Sequence, residues 1–372
     1  MTTGVFDPKT ITIYSVGLLG GSIGLSLKRT GWKGTVIGVS SPTSIATALA
    51  VGAIDEGCGY DLLDTVIGRT DLLIICSPIS GICDALKKLG TLTLPKNLLI
   101  TDIGSTKSEI TRLAATVLPE GVLFVGGHPM AGSEKSGVNH SDPYLFANAI
   151  YALTPSASVL PAVTEALGVF LDTHLGSRHV VLDPEVHDTI AATVSHVPHV
   201  LAVALVNMAE KMNVRVPGTL SLAAGGFRDM TRIASSPYGM WHDIINTNIG
   251  NINELIDAYM DELHQMKTEL SIGSLQQSFD SAASVRRTIP SSSKGFVHQL
   301  SEILVVAKDK PGEIFLIAKT MADVGINIKD IEVLKVREGE GGTIRLSFDT
   351  RAIAAQAVAL LTAHGFESRE RD

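Results

Sequence analysis

One histidine in this sequence stands where proton transfer is chemically useful. His128 follows the β-rich run VLFVGG in Gly127-His128-Pro129-Met130-Ala131-Gly132, and an earlier run, NLLITDI, ends in Asp102-Ile103-Gly104-Ser105-Thr106-Lys107. Both segments fall at the ends of expected strands, where open α/β sheets bind their ligands. An imidazole with an ordinary pKa of ~6.5 can take a proton from a substrate hydroxyl as hydride leaves the same carbon. A nearby Ser105 would orient the ring. Taken alone, a His-Pro pair serves equally well as the cap of a turn.

Two further segments carry histidine and arginine. Ser195-His196-Val197-Pro198-His199 lies in a helical pattern, and Gly225-Gly226-Phe227-Arg228-Asp229-Met230-Thr231-Arg232 follows it. The planar fork of an arginine pairs with a carboxylate through two hydrogen bonds, and the charge-poor surroundings of Arg232 favour a pocket over a solvated salt bridge. His196 and His199 make a poor zinc pair, because Pro198 interrupts them and no cysteine or carboxylate cluster stands near. No metal is expected.

A third constellation suits a dinucleotide. The run ITIYSV leads directly into Gly17-Leu18-Leu19-Gly20-Gly21-Ser22 and then a helix-like stretch. In such a strand-to-helix turn, glycines let the backbone approach a pyrophosphate that sits on a helix N-terminus. Ser15 takes the first position of the GxGxxG pattern. At the end of the second run, TVIGV, Ser40 and Ser41 stand where an acidic residue would hold a ribose hydroxyl. Losing that carboxylate removes repulsion against a 2′-phosphate, yet no Arg or Lys adjoins the serines, so NAD and NADP both stay open, with NAD slightly favoured. Ser77 and Pro78, after DLLIIC, complete the expected cofactor set.

With these motifs in order along nearly the whole chain, and with His128-Pro129-Met130-Ala131-Gly132-Ser133-Glu134-Lys135-Ser136-Gly137 among them, the sequence resembles the prephenate/arogenate dehydrogenase family. The resemblance implies that His128 is the base for the ring hydroxyl of the substrate, with Ser105 beside it and near the nicotinamide. It implies that His196 contacts the ring carboxylate, that Arg232 binds the side-chain carboxylate, and that Ser133 and Glu134 line the same pocket. Gly225 and Trp241 would reach into the site of a partner subunit, since the family dimerises through its helical domain. The implied reaction is NAD(P)-dependent oxidative decarboxylation of prephenate to 4-hydroxyphenylpyruvate, or of arogenate to tyrosine. A rival of another class is an inactive cofactor-binding amino-acid sensor, marked by Ser15 and Ser40. A β-hydroxyacid dehydrogenase is disfavoured, because Lys211 is followed by Asn213 and not by an asparagine four residues on.

The elements that must position these groups can be outlined. Short apolar runs alternate with helix-length stretches from Thr10 to Leu182, the pattern of βαβ units and a parallel sheet, so residues 9–182 are expected to form a Rossmann-like α/β domain. Residues 183–274 lose the strand pattern and are expected to be an all-α dimerisation and substrate domain. Residues 275–298 are polar and Ser-rich, and are expected to be a linker with at most a short helix at its start. Residues 299–372 follow a βαββα plan with a possible last strand, a ferredoxin-like α+β unit. That unit resembles an ACT domain in Asp309-Lys310-Pro311-Gly312-Glu313-Ile314 and Gly325-Ile326-Asn327-Ile328. The resemblance implies regulation by an amino acid, tyrosine as pathway product, near Asp309, Pro311, Gly312, Asn327 and Ile328.

Composition bounds the partners. A hydrophobic share of 45% supplies ample core, while 5% aromatic residues and a net charge of −8 disfavour nucleic acid and anionic lipid. Three cysteines without CxxC spacing fit a reducing compartment. No basic start precedes an apolar run, and no run is expected to reach the ~18 apolar residues of a membrane span, so a cytoplasmic homodimer is expected.

Overall fold

The computed structural model describes residues 6–132, 135–289, 300–337 and 341–371. The chain forms two compact units, Met1–Gly273 and Ser274–Asp372. The first unit is built on an eight-stranded sheet in the order β3-β2-β1-β4-β5-β6-β7-β8. Its strands are β1 (Thr10–Tyr14), β2 (Thr35–Val39), β3 (Glu56–Cys58), β4 (Leu72–Ile75), β5 (Leu99–Asp102), β6 (Leu123–Pro129), β7 (Ile150–Pro155) and β8 (Arg178–Val181). The intervening helices are α1 (Leu18–Arg29), α2 (Pro42–Ala50), α3 (Leu63–Ile67), α4 (Ile79–Leu89), α5 (Ser108–Val117) and α6 (Pro161–Leu175).

Strand alternation divides the apolar residues between two cores. Ile11, Ile13, Leu72 and Ile74 turn to the face covered by Ile23 and Leu27 of α1 and by Leu167 and Leu171 of α6. Ile37, Val39, Leu73, Ile75 and Ile100 turn to the face covered by α3, α4 and α5. Burial on both faces explains why these strands appear in the sequence as continuous apolar runs.

The expected all-parallel sheet needs one correction, since β7 pairs antiparallel with β6. A parallel pairing needs a crossover, usually a helix, and the 130–149 connection contains only the short helical turn Val138–His140 among its described residues. Two strands escape the sequence pattern. β3 is the three-residue Glu-Gly-Cys, and β8 is a largely exposed edge, so neither carries a run of buried apolar residues.

After β8 the first unit turns helical, with α7 (Pro184–Ala191), α8 (Val197–Arg215), α9 (Gly225–Thr231), α10 (Tyr238–Thr247) and α11 (Ile249–Ile272). Ala192–His196 joins α7 to α8 as a π-turn, making one continuous helix from Pro184 to Arg215. A proline inside a helix lacks an N–H and crowds the carbonyl four residues back. Widening the turn just before Pro198 relieves that crowding, and the Val197 N–H donates to Ala192 O. By length and composition alone this helix is long and apolar enough to cross a membrane. Its own core is small, with Ala192, Val197 and Ile252 buried together, while Met208, Val214, Leu263 and Leu270 stay exposed.

In the second unit the expected linker is largely helix: α12 spans Gln276–Thr288, 13 residues. It contains neither glycine nor proline, and Arg286 and Arg287 in its last turn favour the negative end of the helix dipole. Residues 290–298 of that expected linker lie outside the described residues. Beyond them follow β9 (Ser301–Ala307), α13 (Glu313–Ala322), β10 (Asp330–Arg337), β11 (Gly341–Phe348), α14 (Arg351–Ala363) and β12 (Glu367–Glu370), with sheet order β10-β11-β9-β12 and antiparallel pairings throughout. Gly312, in the left-handed region at φ 91°, opens α13, and Asp309 and Pro311 lie in the same turn. The buried Glu313 carboxylate accepts from the Lys308 N–H in that turn. Asn327 and Ile328 lie in the loop before β10, where the strand was expected to have begun.

Candidate active site

The nucleotide turn between β1 and α1 has the shape its glycines imply. A Cβ on Gly20 would lie 2.9 Å from Ile13 and 3.0 Å from the Ser15 carbonyl oxygen, whereas one on Gly17 would meet nothing within 4 Å. Gly20 therefore lets the helix press onto the strand, and Gly17 keeps space clear above the turn. With Leu18 and Leu19 the first turn of α1 carries no acidic residue and no side-chain cap, so its N–H groups face that space unopposed. Ser15 adopts φ 68°, the left-handed conformation that glycine takes freely. Its hydroxyl bonds Ser77 Oγ at 2.5 Å and Tyr60 Oη at 3.0 Å, tying the turn to the β4-α4 loop, where Pro78 leads into α4.

Ser40, at the end of β2, accepts from the Val16 N–H at 3.2 Å and is 4% exposed. Ser41 caps α2 by accepting from the Ser44 N–H. Neither serine brings a carboxylate to the ribose position. Tyr60, which sequence reasoning passed over, stands beside both Ser15 and Ser40.

His128 lies in β6, opposite Ala152 of β7. Beneath it is a fully buried ion pair between Lys107 and Asp102. Lys107 Nζ also donates to the Gly127 carbonyl at 2.7 Å, and Asp102 accepts from the N–H groups of Gly127 and Gly104 at 3.0 and 2.7 Å. The strand end that carries His128 is thus pinned from both sides of Gly127.

The hydrogen-bond partner of His128 is His187 and not the expected Ser105. His128 Nδ1 and His187 Nε2 lie 2.9 Å apart, and His187 Nδ1 lies 2.9 Å from Asp188 Oδ1. A carboxylate only accepts, so His187 carries its proton on Nδ1 and offers Nε2 as an acceptor. His128 then donates from Nδ1, which leaves its Nε2 lone pair free as a base. Asp188 is fixed in turn by the N–H groups of Lys107 and Ser108, at 2.7 and 2.9 Å. Burial works against the Asp188 carboxylate, but hydrogen bonds from His187, Ser108 and Lys107 outweigh it and hold its pKa below the usual value. Burial pushes the His128 pKa well below that of an ordinary imidazole, with His187 and Lys107 adding to the effect. The ring is neutral at pH 7, the state a base requires. Ser105 is half-buried in the same loop, and its hydroxyl has no hydrogen bond among the described residues.

His196 lies at the end of the π-turn, 2% exposed, and burial lowers its pKa to about 4. Its Nδ1 lies 3.1 Å from Asn248 Nδ2. Trp241 stacks on His199 with ring centroids 3.7 Å apart and meets His196 edge-on at 6.0 Å. Within its own chain Trp241 thus packs against these two histidines. Arg232 begins the short helical segment Arg232–Ser235 beside α8, exposed and without an ion pair among the described residues. Gly225 opens α9, also exposed. Within one chain neither is joined to His128. Ser133 and Glu134 lie outside the described residues. His187, Asp188 and Asn248 had no assigned role in the sequence; the adjacent His-Asp pair just inside a Pro-led helix was the available signal.

Residues 23–175 match the family description "Prephenate dehydrogenase, nucleotide-binding domain", and residues 183–282 match "Prephenate dehydrogenase, dimerization domain". A prephenate dehydrogenase of Bacillus subtilis is 35% identical over 356 residues, 94% of this chain and 95% of that protein. The crystal structure of Aquifex aeolicus prephenate dehydrogenase in complex with hydroxyphenyl propionate and NAD+ superposes with a TM-score of 0.66 at 31% identity, covering 75% of this chain and 96% of that one. Synechocystis arogenate dehydrogenase gives 0.66 at 28% identity, covering 74% and 98%. A glycine turn opening a doubly wound sheet, a histidine relay at the sheet's carboxyl end and similarity along most of the chain lead to one assignment: the chain belongs to the prephenate dehydrogenase family.

Proposed function

We propose that this chain is a prephenate dehydrogenase, oxidatively decarboxylating prephenate to 4-hydroxyphenylpyruvate with NAD or NADP. The observation that carries the mechanism is the His128-His187-Asp188 relay, which leaves a neutral imidazole with its Nε2 lone pair unused. The open space at Gly17, the close packing at Gly20 and the unopposed N–H groups of α1 fit a dinucleotide pyrophosphate. When bound, a nicotinamide cofactor would supply the acceptor for the hydride. His128 Nε2 takes the proton of the ring hydroxyl, and His187 and Asp188 stabilise the imidazolium that forms. Loss of carbon dioxide leaves its bonding electrons in the ring, which becomes an aromatic phenolate and takes back the proton held on His128, so the protein need supply only position and a base. His196 would donate to the ring carboxylate and Arg232 would bind the side-chain carboxylate, with Ser105 near the nicotinamide and Ser133 and Glu134 lining the pocket.

The exposed apolar faces of α8 and α11 support a homodimer, in which Gly225 and Arg232 would be covered. The second unit, with its βαββαβ order, is an ACT-like ferredoxin fold that binds tyrosine at the Asp309–Gly312 turn and at Asn327 and Ile328. The enzyme works in the cytoplasm. Arogenate differs from prephenate in carrying an amino group for a keto group, and the likeness to the Synechocystis enzyme keeps it as the second reading. Prephenate and arogenate, each offered with NAD and with NADP and followed at the nicotinamide absorbance, test this assignment. Turnover of prephenate is expected; reduction with neither substrate would leave an inactive sensor instead.

A further inference from the structure

α10 ends at a residue that touches both halves of the histidine machinery. Asn248, at the α10-α11 junction, is 3% exposed. Its Nδ2 donates to the Asp188 carbonyl oxygen at 2.8 Å and lies 3.1 Å from His196 Nδ1, while its Oδ1 accepts from Asn251 Nδ2 at 2.7 Å. These three partners settle which way the amide points. Turned over, it would set an oxygen against the Asp188 carbonyl and an NH2 against the NH2 of Asn251. In the orientation found, the second Nδ2 proton is directed at His196 Nδ1, which must accept it. The proton of the neutral ring then sits on Nε2, which has no hydrogen-bond partner among the described residues.

We propose that Asn248 is a positioning residue that fixes the tautomer of His196, so that the ring offers an Nε2–H donor to the ring carboxylate of the substrate. The proposal rests on the dehydrogenase reading above for the identity of the acceptor, though not for the tautomer. It implies that His196 holds a carboxylate by hydrogen bonding and not as a cation. The depressed pKa agrees, as do the groups around the ring: His187 disfavours a charge there, Asp188 favours it, burial decides against it, and Trp241 closes one edge. The same amide grips the backbone of Asp188, so the carboxylate site and the base relay share one anchor.

Asn248→Asp nearly preserves the shape but can only accept, which draws the ring proton to Nδ1. Asn248→Ala removes the donor without imposing the other tautomer. The expected result for Asn248→Asp is a KM for prephenate raised on the order of 10-fold to 100-fold, as for loss of a hydrogen bond to a charged group. The KM for the nucleotide should stay within about twofold; both variants lose the contact to the Asp188 carbonyl, so a smaller rise of the prephenate KM in Asn248→Ala isolates the effect of the tautomer. A new gain in prephenate affinity toward acid should appear in Asn248→Asp alone, where the added carboxylate favours a charged ring beside His187 and Asp188. Independently, nitrogen NMR of the histidine-labelled wild-type protein should show His196 with a bare Nδ1 and a protonated Nε2 from pH 6 to 8. An Nδ1–H tautomer in the wild type overturns the proposal, as does an equal rise of both KM values in the two variants. If the wild type reduces nucleotide with neither substrate, the dehydrogenase reading fails, while the NMR result still decides the tautomer.

Discussion

His128 can act as a base only because its Nδ1 is occupied, and that constraint comes from two neighbouring residues across 59 and 60 positions of sequence. Asn at position 128 could still donate to His187 but could not take a proton. His128→Asn should lower kcat more than ~100-fold with little change in nucleotide KM, and a smaller loss measured at saturating prephenate would remove His128 from the role of base. The histidines also set the acid sensitivity of the fold. For a base whose pKa is lower in the folded chain, the unfolded chain binds more protons below the ordinary value, so stability is full above that value and declines as pH falls. For His196 the decline runs from ~6.5 toward about 4. At pH 5 this ring alone should remove about 2 kcal/mol relative to pH 8, visible as a falling Tm that His196→Asn flattens. The sequence disclosed His128, because a motif surrounded it. It did not disclose the partners, since Asp188 and Asn248 work through contacts whose geometry depends on how the helical segments return to the sheet.

The π-turn does at the level of an element what Asn248 does at the level of a residue. Pro198 forces the helix from Pro184 to Arg215 to widen at Ala192–His196, and the widening sets where His196 points. Pro198→Ala lets the turn relax to α geometry. The variant should be as stable as the wild type or more so, since a proline inside a helix costs ~3 kcal/mol, yet kcat/KM should fall ~10-fold or more as His196 rotates off its partner. Melting and kinetics on one sample check both signs; an unchanged kcat/KM would mean the turn is merely tolerated. At this scale the sequence was legible wherever burial wrote a pattern. β1, β2, β4, β5 and β6 stood out because both their faces are covered, whereas β3 and β8 lie at the sheet edges and α12, polar on every side, resembled a linker.

For the whole molecule, the Aquifex structure matches 75% of this chain while being covered to 96% itself, so its likeness is to a catalytic part shorter than the full chain. Removing residues 290–372 should leave turnover within about threefold while abolishing any response to tyrosine, an outcome read by assaying both forms with and without the amino acid. Loss of turnover on truncation would mean that the second unit shapes the catalytic site. In the first unit, the same continuous helix that holds His187, Asp188 and His196 near one end presents Met208, Met212 and Val214 toward the other. A helix of this kind transmits a push along its axis with little compression. If a second copy of the chain grips the far end, occupancy of one active site will be felt as a displacement at the other, and the two sites of a dimer should fill unequally. Prephenate saturation curves that depart from a hyperbola, and become hyperbolic when protein is diluted until subunits separate, would register that mechanical link.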